Sequence, residues 1–90
     1  MNEVLFIWDL EDDPEGNVQH IAEHGLTMEE VESVFRDPSN RTEVSRSSEL
    51  PITFGTTYTG RYIVVVWEEV ESDPLRVRPV TAYEPTEDEF

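Results

Sequence analysis

The sequence has no cysteine and no lysine, and only four glycines. Without cysteine there are no disulfides, no thiolate zinc sites and no cysteine nucleophile. Without lysine, six arginines face twenty-one aspartates and glutamates, a formal net charge of −15. No apolar run approaches the roughly 20 residues that span a bilayer. Met1–Glu3 does not begin a signal peptide, so a soluble cytoplasmic protein is expected. What remains is enough for one small core: 37% of the 90 residues are hydrophobic and two are tryptophan. A chain of this length buries roughly 60–65% of its unfolded surface. A single domain over residues 1–84 is expected, with 85–90 an acidic tail that frays.

A surface this acidic repels phosphate backbones, because nucleic-acid binding rests on cations that release counterions. The charge is also uneven. Residues 1–35 hold ten acidic side chains and no arginine, and all six arginines lie further on, at 36, 41, 46, 61, 76 and 78. Two physical readings fit the acidity: adaptation to high salt, or a surface that docks a basic partner.

Along the chain, Val4–Trp8 (VLFIW) reads as a strand buried on both faces. Asp13-Pro14-Glu15 predicts a helix start, with Asp13 as N-cap and Pro14 at the first position. Val18, Ile21 and Ala22 give its apolar stripe, and Gly25 ends it in the left-handed conformation. Thr27-Met28-Glu29-Glu30 spells a capping box, and Leu26 with Val31 spells a hydrophobic staple. Asp37-Pro38 closes this second helix, since the residue before proline resists the α conformation.

Beyond residue 40 the period changes to that of strands. Glu43–Ser47 predicts a weak strand and Ile52–Tyr58 a better one, with Gly55 as a bulge. Thr59-Gly60 predicts a hairpin turn, Arg61–Val70 the central strand, and Glu71-Ser72-Asp73-Pro74 the next turn. Leu75–Tyr83 predicts the last strand, with Pro79 marking an edge or a bulge because it removes a donor. Trp8 and Trp67 are expected in the core, where their indole N–H groups need acceptors. The order β-α-α-β-β-β-β predicts an α+β fold, two helices packed on one face of a mainly antiparallel sheet.

Phe6-Ile7-Trp8-Asp9, Asn17, His24-Gly25-Leu26-Thr27-Met28-Glu29-Glu30-Val31 and Val34-Phe35-Arg36-Asp37-Pro38 together resemble the BrnT family, whose pattern runs F-x-W-D, an Asn, H-G-V-S-F-E-E-A and V-F-x-D-P. Gly60-Arg61 with the following Tyr62–Val66, and Arg78-Pro79-Val80-Thr81-Ala82-Tyr83, are similar to its later hairpin and R-I-I-S-A-R strand. The resemblance implies a RelE-like fold, a place in a type II toxin–antitoxin pair, metal-independent ribonuclease activity, and a partner antitoxin that also binds DNA. The departures fall on the cations. The family's lysine-bearing first helix is here acidic, its basic C-terminus becomes Glu84-Pro85-Thr86-Glu87-Asp88-Glu89, and Tyr83 stands where the strand's last arginine would be. The function expected is that of a BrnT-like protein with weak or lost ribonuclease activity. The alternative is a non-catalytic acidic interaction module of the same fold.

A ribonuclease without a metal needs a cation for the phosphate and an acid–base pair. The candidates are Arg61, Arg76 and Arg78 for the phosphate, Glu68 as base, and Tyr83 or a histidine as acid. On neighbouring strands Arg61 could share a face with Arg76 and Arg78. The competing reading is that these arginines pair with the abundant carboxylates on a solvated face. His20-Ile21-Ala22-Glu23-His24 matches H-x-x-E-H, but a metalloprotease needs a third ligand and a cleft; helix capping explains the pair as well, and no metal or cofactor is assigned. The partners expected are an antitoxin-like or other basic protein, with a homodimer left open and RNA disfavoured by the charge. Docking is expected at the edge near Pro79 and on the acidic helix faces.

Overall fold

The computed structural model describes residues 4–46 and 49–85. The elements are β1 (Leu5–Phe6), α1 (Asn17–Glu23), α2 (Met28–Arg36), β2 (Arg41–Val44), β3 (Pro51–Thr56), β4 (Tyr62–Ser72) and β5 (Leu75–Tyr83). They form the α+β fold expected: one five-stranded sheet, order β1-β5-β4-β3-β2, antiparallel except for the parallel pair β1–β5. Ile63, Val65 and Trp67 alternate along β4 and meet Ile21, Leu26, Val31 and Val34 of the helical layer. That places both helices on one face, and each fully buried side chain there contributes about 1.5–3 kcal/mol.

α2 follows its local signals. Thr27 Oγ1 accepts from the Glu30 amide at 3.1 Å, and Glu30 Oε1 accepts from the Thr27 amide at 3.2 Å. Leu26 and Val31, the staple pair, are both buried. Asp37 is the C-cap. Asn40 Nδ2 donates to the carbonyls of Val34 and Phe35, which turns the chain straight into β2. The strand expected over Glu43–Ser47 therefore runs earlier, from Arg41 to Val44; Ser47 lies outside the described residues, as does the tail from residue 86 on.

α1 starts later than its sequence signals suggest. Asp13 is not its N-cap; Asp13 instead closes a turn, accepting from the amides of Glu15 and Gly16. The helix begins at Asn17, whose buried side chain is fixed to distant backbone. Its end is as expected. Gly25 has φ +75°, its amide donates to the Ala22 carbonyl, and the Leu26 amide donates to Ile21, a Schellman motif.

Four further expectations change. Val4–Trp8 is not a strand buried on both faces: β1 is two residues long, lies at the sheet edge, exposes Leu5 and turns Phe6 to the core. Gly55 is no bulge, since it pairs in regular register with Ile63. Its hydrogen side chain serves a close approach: a Cβ there would lie 2.8 Å from Val34 Cγ1 of α2. The β4–β5 hairpin is tighter than expected, with Ser72 paired to Leu75 and only Asp73-Pro74 between them. Pro79 is buried in a strand that lies between β1 and β4, so it marks no edge for docking. The bulge alternative does hold, because Val66 pairs with Thr81 while Trp67 pairs with Pro79.

Both tryptophans find acceptors. Trp67 Nε1 donates to Thr53 Oγ1 and Trp8 Nε1 to Glu32 Oε2, each at 2.8 Å. Trp67 is core, whereas Trp8 is only half-buried against it.

Candidate functional site

Glu68 and Arg78 are brought together. They pair directly across β4 and β5, with Arg78 Nη1 3.7 Å from Glu68 Oε1. The other end of the guanidinium is closer still to a carboxylate, Nη2 lying 2.7 Å from Asp9 Oδ2. Asp9 is itself anchored, since its Oδ2 accepts from the Asn17 amide at 2.9 Å and its own amide donates to Asn17 Oδ1 at 2.8 Å. Asn17 Nδ2 donates onward to the carbonyls of Ile7 and Pro79. Arg78 is thus held between two acids on a rigid frame, and a phosphate would have to displace Asp9 to reach it. Arg76 stands two residues away with Glu71 at 2.9 Å.

Arg61 is at the other end of β4 and serves another purpose. It follows the Thr57–Gly60 turn, where the Thr57 amide donates to the Arg61 carbonyl at 2.7 Å. Its Nη1 donates to the Gly25 carbonyl at 2.7 Å and lies 3.5 Å from Glu30 Oε2, while Nη2 donates to Glu84 Oε1 at 2.6 Å. The side chain ties the α1–α2 connection to the end of β5. Glu84 raises the Arg61 pKa, chiefly through that hydrogen bond. Glu30 is 6% exposed, and its carboxyl is held below the ordinary 4.5 first by the Thr59 hydroxyl, then by the Thr27 amide and the Arg61 charge.

The five candidate residues therefore do not meet. Arg61, the residue before β4, and Glu68 within it are seven residues apart, about 23 Å at a rise of roughly 3.3 Å per residue. A general base acts within about 3 Å of its proton, so Arg61 and Glu68 cannot serve one phosphate. Tyr83 belongs to the Arg61 end, opposite Val64, with its ring 6.2 Å from that of His24. His24 is the C-cap of α1 and His20 lies exposed in its last turn. Among the described residues no group of three or more histidines and carboxylates is placed to hold a metal ion.

Near Tyr83 the helix-free face of the sheet holds a groove of about 480 Å³, lined by Arg41, Glu43, Ile52, Phe54, Val64, Tyr83 and Pro85. Arg41 lies over the Phe54 ring, 4.8 Å from its centroid, and 3.4 Å from Glu43. Phe54 stacks beside Tyr62 at 6.4 Å. Of the groove's lining only Tyr83 was a sequence candidate; Phe54 and its neighbours were not, though the alternation Ile52, Phe54 and Tyr62, Val64, Val66 carried the signal. Asp9 was also missed as the partner of Arg78, as was Asn17, which anchors Asp9.

Comparison with models of known protein families finds no match. Comparison with curated proteins finds no significant match either. Among the described residues no helix is long and apolar enough to cross a membrane.

Proposed function

We propose that this chain is a BrnT-like protein of toxin–antitoxin descent that works by binding a partner protein, its ribonuclease activity weak or lost. One observation carries the reading. Arg61, Arg76 and Arg78, the three candidates for holding a phosphate, are each engaged by a carboxylate of the chain within 3 Å. An active site of this chemistry keeps a cation open for the charge that develops on the phosphate. A net charge of −15 adds a repulsive field against RNA. The resemblance in the His24–Val31 and Val34–Pro38 segments supports the lineage, and the acidity supports a basic partner.

The test is RNA cleavage by the purified protein at low and at molar KCl, beside the Arg61→Ala/Arg78→Ala double variant. The expected outcome is no cleavage above buffer at either salt. Cleavage that disappears in the double variant overturns the reading and makes the protein a working ribonuclease. An acidic interaction module without toxin ancestry predicts the same silence. A neighbouring short reading frame for a helical, DNA-binding antitoxin separates the two.

A further inference from the structure

We propose that the partner docks on the helix-free face of the sheet through an extended, arginine-bearing segment laid across the Phe54–Tyr83 groove, which rests on the partner-binding reading above. The register builds the floor of that groove. Residues directly opposite on paired strands share a face. Arg41 pairs with Phe54, Phe54 with Val64 and Val64 with Tyr83, so one row crosses four strands. Glu43, Ile52, Val66 and Thr81 form the next row by the same pairing. The two rows give an apolar and aromatic floor with one ion pair at its rim.

Charge selects the occupant. The arginines on this face, Arg41, Arg76 and Arg78, each sit with a carboxylate: Glu43, Glu71 and, for Arg78, both Asp9 and Glu68. These pairs leave no excess positive charge there, and the chain as a whole carries a net charge of −15. A cationic segment is drawn in by the whole field and meets no unopposed cation on arrival. The face also contains its own template for the contact. The Arg41 guanidinium lies over the Phe54 ring with Glu43 beside it, an arrangement of cation, ring and carboxylate. Tyr62, stacked against Phe54 and 44% exposed, presents the next ring face for an incoming arginine. RNA would bring like charge to the same field, and a second copy would bring another −15.

The experiment is fluorescence anisotropy with a short labelled synthetic peptide that alternates arginine with valine and threonine, at low salt. The same peptide with glutamine for arginine is the control. The arginine peptide is expected to bind and the glutamine peptide not to. Phe54→Leu, which keeps apolar volume, and Tyr62→Ala are each expected to weaken binding about threefold to tenfold. Glu23→Gln and Glu29→Gln, on exposed helix surface, are expected to leave it unchanged. Thermal melts of the variants confirm that they fold. Equal weakening in both pairs of variants means diffuse attraction to an acidic surface and overturns the proposal. So does binding that survives both groove changes; in that case the partner-binding reading still stands. A dimer that Phe54→Leu dissolves, without peptide binding, gives the face to a second copy. Preference for a single-stranded RNA oligonucleotide over the peptide gives it to nucleic acid. Ribonuclease activity in the earlier assay overturns the underlying reading itself.

Discussion

Asn17 uses both ends of one amide where most residues of a first helical turn use neither. Its Oδ1 accepts from the Asp9 amide, and its Nδ2 donates to two carbonyls, one of them Pro79 in the last strand. It is 1% exposed, and its bond to the Pro79 carbonyl is buried, so that carbonyl has no water as a substitute. Asn17→Ala is expected to cost about 2–3 kcal/mol, read as a lower urea midpoint at unchanged slope. A change under half that size would mean that the backbone groups find other partners. Glu30 is the acid-sensitive counterpart. Its carboxyl is held below 4.5 by hydrogen bonds from Thr59 and Thr27 and by the charge of Arg61. A depressed carboxyl contributes stability that is complete above its unfolded pKa and is lost as the pH falls through its folded value. Asp37 shares the direction, through the amides of Thr56 and Ser39. Glu30→Gln keeps an oxygen to accept from the Thr27 amide, so its expected cost near neutral pH, about 1 kcal/mol, comes from losing the charge in the contacts with Thr59 and Arg61. It should also flatten the loss of stability below pH 4.5. A variant whose acid limb overlays that of the parent would show that Glu30 titrates normally.

The helices and strands differ in how far their signals reach. α2 was legible end to end because its box, staple and terminating Asp37-Pro38 lie within its own turns. The start of α1 was not, because the residue that sets it is held by a carbonyl 62 positions away. β1 read as a buried strand for the same reason: among the described strands it pairs with β5 alone, and nothing in Val4–Trp8 announces that partner. Within the candidate site, the Glu68–Arg78 pair depends on the register shift between Glu69 and Glu71, and the arrival of Asp9 beside it depends on the chain between β1 and α1; neither was legible. The separation of Arg61 from Arg78 needs only strand arithmetic; its engagement with Gly25 and Glu30 needs the helices. Gly55 decides how closely those helices sit. A bulge glycine tolerates alanine when its φ is ordinary, but here the added methyl meets Val34 at 2.8 Å. Gly55→Ala is expected to cost about 1–3 kcal/mol by overpacking. Relief by a second change, Val34→Ala, would place the strain at this contact, and additive losses in the double variant would place it elsewhere.

At the scale of the whole molecule the charge sets two opposing responses to salt. Six arginines cannot neutralise twenty-one carboxylates, and the fold that carries most of them has a radius of gyration of 12.5 Å. The Debye length is about 10 Å at 0.1 M salt and about 3 Å at 1 M. At the lower value the carboxylates repel one another across much of the fold; at the higher, only near neighbours do. Salt also weakens the ion pairs of Arg36, Arg41, Arg61, Arg76 and Arg78. Exposed pairs of this kind contribute only about 0–1 kcal/mol each, so relief of repulsion should win. The urea midpoint is expected to climb steeply between low and molar KCl, and a flat or falling midpoint would remove high-salt adaptation as the reason for the acidity. Attraction of a cationic peptide to the sheet face should decline over the same interval, because the field that steers it is screened. Stability and affinity then cross along a single KCl titration. If affinity instead held level while stability rose, the groove's apolar floor, not the surrounding charge, would be what retains the partner.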